Sequence, residues 1–349
     1  MFTRILVPLD GSTRAECAIP VAARIARASG GTVDLLRVVY PPIDYGMYLT
    51  QSVTLVDKEM DAAIDGATEY LAGMARAEAL EGIDTRIEAI AGAVAPTVLS
   101  YTQSAEIDLV VMCSHGYSGL KRWMLGSVAE KVAHHATVPV LILHENGPAL
   151  TGAPDDQPMR ALVALDGSSF AEAVLDPTIN LIAALSAPAH GAVHLLRVVD
   201  VPMLDGKGKG QANIGVDAMK KAKEDAALYL MAVLSTLKTV IGAGKHLKFT
   251  ASLTTDIDVA GAIVKEAQHV ENTAAAGTNG YAFIAMSTHG HGGIDHWMTG
   301  SVAERTLHAT RLPLLIVRTQ IAGKLAKEAD KDALEVHERI ELQTWSALL

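Results

Sequence analysis

The chain of 349 residues contains only two cysteines, Cys17 and Cys113. They belong to different predicted elements and lack the spacing of metal ligands. We therefore expect free, buried thiols rather than a disulfide framework or a zinc site. A membrane-spanning helix needs about 18 to 20 consecutive apolar residues, and no apolar run in the sequence is that long. The first residues enter a strand pattern directly, so we expect no signal peptide and a cytoplasmic protein.

Clustered positive charge is also missing from the sequence. Lys and Arg number 29 against 39 Asp and Glu, which gives a formal net charge of −10, and the basic residues are scattered. Proteins that bind nucleic acid neutralise its phosphates with clustered positive charge. The composition therefore argues against nucleic acid as a partner.

What the sequence does contain is an internal duplication. Met-Cys-Ser-His-Gly at 112–116 is followed, nine residues later, by Gly-Ser-Val-Ala-Glu at 126–130. Met-Ser-Thr-His-Gly at 286–290 and Gly-Ser-Val-Ala-Glu at 300–304 repeat the pattern with the same spacing. A glycine turn after a strand, followed by a Gly-Ser that opens a helix, is typical of a phosphate cradle. We predict domains at 1–145 and 159–319, a linker at 146–158 and a helical tail at 320–349.

Strand and helix periodicities alternate within each half. Several strands are near-continuous apolar runs, which indicates burial by helices on both faces and a mainly parallel, doubly wound α/β sheet. Ligands bind such sheets at the carboxyl ends of the strands. The predicted strands are 3–10, 33–39, 85–91, 108–113 and 138–143, then 161–166, 193–199, 247–253, 282–287 and 314–317. The predicted helices of the first half are 15–28, 59–80, 96–105 and 127–135.

The ordered motifs in both halves resemble those of the universal stress proteins, with two UspA-type domains in one chain. The resemblance covers about residues 1–145 and 158–320. It implies two tandem Rossmann-like domains, each with a five-stranded, mainly parallel sheet. Members of that family fall into two classes. One class binds ATP and carries Gly-x2-Gly-x9-Gly-Ser/Thr, and the other lacks the motif.

Carried over position by position, the resemblance implies a nucleotide site in each half. An aspartate would contact adenosine, a valine and a methionine would enclose adenine, and backbone after the fourth strand would meet the phosphates. The first motif glycine is replaced by Cys113 in the first half and by Ser287 in the second. Close backbone approach is the usual reason for glycine at such a turn. The implied residues are Pro8, Asp10, Val38, Met112, Cys113, His115, Gly116, Gly126, Ser127 and Val128 in the first half, and Asp166, Val198, Met286, Ser287, His289, Gly290, Gly300, Ser301 and Val302 in the second.

These residues also have structural interpretations. Ser127 and Glu130 have the spacing of a capping box, as do Ser301 and Glu304. Both motif aspartates can cap the turn after a first strand, and both methionines are suited to filling the core. The motif histidines are expected to act through backbone and turn geometry rather than as general bases.

Charge near the motif differs between the halves. Lys121 and Arg122 lie between the first pair of glycines, whereas Asp295 and His296 take the matching places in the second half. We therefore predict nucleotide affinity a few-fold to about tenfold higher in the first half.

Three functions fit these observations. The first is a stress or signalling protein that binds ATP, with or without Mg²⁺, and alters partner binding. A nucleotide-free dimerisation scaffold is the second. The third is a weak ATP hydrolase, which is disfavoured because the motif offers no Walker-type lysine and no arginine finger.

The fifth strands bear on association. Both are very apolar, and the resemblance implies that they pair edge to edge, since an uncovered edge invites association. In a tandem chain they can pair within one molecule, as a pseudo-dimer, while two chains could still form a homodimer. The tail has apolar positions at helical spacing, which predicts a helix docked on the body or on a second chain, with a solvated end as the alternative.

Overall fold

The computed structural model describes residues 1–40, 53–114, 126–144, 147, 150, 159–187, 190–201, 211–241, 247–272, 280–288 and 301–318. Within these ranges, the first half contains five strands, namely β1 Arg4–Pro8, β2 Thr32–Val39, β3 Thr85–Ala91, β4 Leu109–Cys113 and β5 Val140–Leu143. Its helices are α1 Thr13–Glu16, α2 Ala18–Ser29, α3 Val53–Ala75, α4 Val94–Ser104 and α5 Ser127–His135.

The second half repeats this order of elements. Its strands are β6 Met159–Leu165, β7 Gly191–Asp200, β8 Leu247–Asp256, β9 Phe283–Ser287 and β10 Leu314–Val317. Its helices are α6 Ser169–Glu172, α7 Leu175–Ser186, α8 Gln211–Ile241, α9 Val259–Asn272 and α10 Ser301–Ala309.

All ten strands form one sheet in the order β3-β2-β1-β4-β5-β10-β9-β6-β7-β8. Pairing is parallel within each half. Strand order reverses where β1 lies between β2 and β4, and again where β6 lies between β7 and β9. In an open α/β sheet, such reversals leave a crevice at the carboxyl ends of the strands. The predicted doubly wound α/β fold is confirmed in both halves.

The two halves join through their fifth strands. β5 and β10 pair antiparallel, with Leu141 opposite Leu315 and Val140 opposite Ile316. Every residue of both strands is buried. The apolar fifth strands therefore pair with each other inside one chain, whereas association of two chains remains a prediction.

The core has two layers, one on each face of the sheet. Side chains alternate along a strand, so Ile5 and Val7 face one layer while Leu6 faces the other. Helices α1, α2, α3, α6, α7 and α8 lie on the first face, and α4, α5, α9 and α10 lie on the second. Each layer contains residues of both halves. No helix in the described ranges is long and apolar enough to cross a membrane.

The helix after β1 differs from its prediction. Instead of one helix at 15–28, two helices are separated at Cys17. Pro20 lies in the first turn of α2, where proline is tolerated, whereas in a continuous helix it would lack the N–H that bonds to the Glu16 carbonyl and its ring would clash with that carbonyl. Pro177 has the same position in α7.

Two further predictions differ from the structure, and two cannot be compared with it. The helix predicted at 59–80 spans Val53–Ala75 and is followed by a separate 3₁₀ turn, Glu78–Leu80. Neither cysteine forms a disulfide, but the prediction that they are buried is wrong, because Cys17 is exposed and Cys113 partly exposed. Most of the linker and the whole tail lie outside the described residues, so both remain predictions.

Candidate functional site

A cavity of about 580 Å³ lies at the carboxyl edge of the first half. It is bounded by the ends of β1, β2 and β4, by α3, and by the first turns of α4 and α5. This is the crevice that the strand reversal leaves open. Its wall includes eight of the residues implied by the family resemblance, namely Pro8, Asp10, Val38, Met112, Cys113, Gly126, Ser127 and Val128.

Asp10 holds the turn that follows β1. Its Oδ1 accepts hydrogen bonds from Ser12 N at 3.0 Å and Ser12 Oγ at 2.6 Å. Ser12 in turn caps α1, where its Oγ accepts from Ala15 N at 3.2 Å. Asp10 therefore has the structural role considered for it, and it also lies in the cavity wall.

Arg37 is a wall residue that sequence reasoning did not single out. Its guanidinium carbon lies 4.7 Å from the ring centroid of Tyr70, which is cation–π geometry. A Cβ added at Gly11 would lie 3.0 Å from Nη2 of Arg37, so the guanidinium contacts the turn. Gly11 has φ +87°, which strongly favours glycine.

Tyr70 links this arginine to α1. Its hydroxyl donates to Glu16 Oε1 at 2.9 Å. Burial, with the Glu16 hydrogen bond, raises the pKa of Tyr70. The second half has the same set of residue types in Arg197, Tyr229 and Glu172. The repeated Leu-Leu-Arg-Val-Val was the signal that could have identified both arginines.

The start of α5 corrects the capping-box prediction. Gly126, not Ser127, is the N-cap, and Ser127 is the first helical residue. Gly126 N donates to Ser114 O at 2.7 Å, so this amide is already bonded. The first hydrogen bond inside the helix runs from Glu130 N to Gly126 O. By helix geometry, the amides of Ser127 and Val128 have no partner inside the helix.

Met112 and Cys113 form the wall at the end of β4. Met112 is 5% exposed and packs in the second core layer, as expected of a core methionine. Cys113 is partly exposed beside the cavity. The cavity is therefore open next to the position where the motif has its first glycine.

The second half places its described candidates at equivalent points. Asp166 Oδ1 accepts from Ser168 N at 2.9 Å and from Ser168 Oγ at 2.6 Å, which repeats the first turn. Val198 lies in β7, and Met286 and Ser287 end β9. Ser301 and Val302 open α10.

Some predicted positions are not among the described residues. The site candidates concerned are His115, Gly116, His289, Gly290 and Gly300. The spacer residues concerned are Lys121, Arg122, Asp295 and His296.

Comparisons with known proteins agree with this architecture. A universal stress protein of Mycobacterium tuberculosis is 27% identical over 233 residues, which are 64% of this chain and 65% of the relative, so the match spans just under two thirds of that protein. A universal stress protein of Mycolicibacterium smegmatis is 22% identical over 322 residues, 90% of this chain and 96% of the relative.

A solved structure shares the fold over nearly the whole chain. The crystal structure of a universal stress protein from Archaeoglobus fulgidus matches with a TM-score of 0.59 at 19% identity, covering 90% of this chain and 96% of that one. The sequence profile described as "Universal stress protein family" matches residues 1–144 and 159–318, which is most of the chain. The chain therefore belongs to the universal stress protein family.

Proposed function

We propose that the first half binds an adenine nucleotide, ATP with or without Mg²⁺, in the cytoplasm. Occupancy of this site would alter partner binding in stress response or signalling. The observation that carries the proposal is the cavity, because eight residues implied by the family resemblance line one space of about 580 Å³. Small-molecule sites typically measure about 300 to 1,000 Å³.

The wall divides into parts that suit the parts of a nucleotide. The start of α5 offers the amides of Ser127 and Val128, and a helix N-terminus favours anions. The guanidinium of Arg37 adds a cation to the wall. Val38 and Met112 supply apolar surface for a base, while Asp10 supplies a carboxylate that can accept hydrogen bonds from ribose hydroxyls.

Gly126→Asp tests the assignment of the phosphates. Gly126 has φ −66° and ψ 142°, an extended conformation open to any residue, and Asp and Asn are both good N-caps. Helix α5 should therefore remain intact in both variants. We expect Gly126→Asp to weaken ATP binding at least about tenfold through charge repulsion, or about 1.4 kcal/mol. Gly126→Asn places a similar cap without the charge, so calorimetry should show that it binds ATP at least about tenfold more tightly than Gly126→Asp. Equal affinity in all three proteins would contradict the assignment.

The proposal is for binding without a dedicated reaction. Denaturing the purified protein and separating the released small molecules by chromatography should yield adenine nucleotide. A protein that releases none and does not bind added ATP would be a nucleotide-free scaffold. Phosphate release above background with added ATP would instead indicate a hydrolase.

A further inference from the structure

The carboxyl edges of the two halves differ in charge among the described residues. In the first half, Tyr40 follows β2, and Gly92 and Ala93 follow β3. In the second half, Asp200 ends β7 and Asp256 ends β8. Two positions that are neutral in the first half are therefore carboxylates in the second, at the ends of adjacent strands.

Strand register fixes this equivalence. β7 and β8 pair Val199 with Thr255 and then Asp200 with Asp256. In the first half, β2 and β3 pair Val39 with Ala91, so Tyr40 and Gly92 come next on the same two strands. Neighbouring strands lie about 4.8 Å apart, so the backbones of Asp200 and Asp256 are adjacent.

A third carboxylate lies at the start of the next helix. Asp258 precedes α9 and Ala93 precedes α4, and each carbonyl accepts the first hydrogen bond of its helix. Asp258 Oδ1 also accepts from Gly261 N at 3.0 Å, whereas Ala93 provides no side-chain cap. The positive end of α9 is thus already compensated by a carboxylate, while that of α4, which borders the cavity through Val94, is not.

A cation on the following helix is used differently in the two halves. Arg305, the fifth residue of α10, binds Asp258 Oδ1 through Nη2 at 2.6 Å. Lys131 is the fifth residue of α5, and its half has Ala93 in place of the aspartate. Across these positions the second half carries three carboxylates and one guanidinium, whereas the first half carries one ammonium.

We infer that Asp200, Asp256 and Asp258 are selectivity residues that exclude polyphosphate nucleotides from the second half. Like charges repel a triphosphate, and the charge of Asp258 offsets the positive end of α9. The chain therefore binds one ATP, in the first half. This inference rests on the proposed function of the first half, and it adds a difference in ligand class between the duplicated edges.

The experiment measures the number of ATP molecules bound per full-length chain by calorimetry. Wild type should bind one, and Gly126→Asp should weaken that site. The triple variant Asp200→Asn, Asp256→Asn, Asp258→Asn removes the charge but retains side-chain shape and the α9 cap, since asparagine caps as well as aspartate. We expect this variant to bind two. In the reverse direction, Ala93→Asp should weaken the first site at least about tenfold, and Ala93→Asn, its neutral control, should not.

The outcomes separate this inference from the proposed function. Two ATP molecules per wild-type chain would overturn the inference while supporting nucleotide binding. One ATP in both wild type and the triple variant would also overturn it. If wild type binds none, the proposed function fails. The claim of one ATP per chain then fails with it, whereas exclusion by the three carboxylates is supported if the triple variant gains a site and overturned if it does not.

Discussion

At the residue scale, the duplicated halves have replaced one buried interaction with another. Asp34 in β2 is 1% exposed. It accepts from Arg4 Nη2 at 3.3 Å and from the Tyr101 hydroxyl at 2.9 Å. His194 takes the matching place in β7, where its ring nitrogens lie 2.8 Å from Thr250 Oγ1 and 2.8 Å from Ser252 Oγ.

The change from aspartate to histidine alters the neighbouring arginine. Arg160, the counterpart of Arg4, stacks over Tyr281 with its guanidinium carbon 4.6 Å from the ring centroid. Burial, together with the charge of Arg160, lowers the pKa of His194 to about 4. A neutral imidazole thus occupies the position of a buried ion pair.

His194 predicts a dependence of stability on pH. His194 takes up a proton near pH 6.5 in the unfolded chain but only near pH 4 in the folded protein. Its neutral form therefore contributes stability that is fully present above about pH 6.5 and is lost as the pH falls towards 4. Because the ring is partly exposed, we expect a loss of about 1 kcal/mol between pH 7.5 and pH 5. Urea unfolding should show that the free energy of unfolding of His194→Gln falls less than that of wild type over this pH range. The same pH dependence in both proteins would contradict the prediction.

The reactivity of Cys113 towards a thiol reagent tests ligand binding in the cavity, and Cys17 serves as the control. Cys113 lies in the cavity wall and Cys17 is exposed outside it. ATP should slow the reaction of Cys113 with a thiol reagent about fivefold or more, because a bound ligand covers the wall. The rate for Cys113 should be measured in the Cys17→Ser variant, and the rate for Cys17 in the Cys113→Ser variant, so that each protein carries a single thiol. An unchanged Cys113 rate at saturating ATP, or equal slowing of both thiols, would count against the site.

At the element scale, helix ends show how the chain sets its boundaries. α2 ends at Gly30, which has φ 68° and ψ 24° and donates its N–H to Ala26 O. Nothing lies within 4 Å of a Cβ added there. Replacement of Gly30 therefore costs only backbone conformational energy.

Gly30→Ala should lower the free energy of unfolding by about 1 kcal/mol. Gly30→Asn should cost less, because asparagine tolerates the left-handed region. Chemical denaturation of the three proteins checks this order. A loss from asparagine as large as that from alanine would show that the left-handed conformation is not the cause.

Local patterns in the sequence predicted some elements better than others. The strand at Thr85–Ala91 and the helix at Ser127–His135 have the predicted limits, because apolar periodicity determines both. The N-cap of α5 was misassigned because Ser127 satisfies a local spacing rule, whereas the hydrogen bond from Gly126 N to Ser114 O depends on tertiary structure. The stacking of Arg37 on Tyr70 joins distant parts of the chain, which periodicity cannot reveal.

At the scale of the whole molecule, the two halves share their structural core. β5 and β10 form the centre of the ten-stranded sheet. Helices α2 and α7 also pack together across the halves. Because both core layers are continuous across the junction, we expect the halves to unfold together.

Wild type should therefore unfold in one calorimetric transition. Leu315 is 0% exposed and lies opposite Leu141 in the junction. Leu315→Ala should cost about 3 kcal/mol and separate the transition into two, one for each half. Leu315→Met retains the volume and should keep a single transition at a cost below about 1.5 kcal/mol. Two transitions in wild type would contradict a shared core.

The antiparallel junction also determines the directions in which the carboxyl edges of the two halves face. Strands are parallel within each half but reverse direction between β5 and β10. The carboxyl ends of the first half therefore point opposite to those of the second. A flat partner surface that covers one opening leaves the other facing solvent. The two carboxyl edges thus lie at opposite ends of the molecule, and a change at one end can reach the other only through the shared sheet and the core layers packed on it.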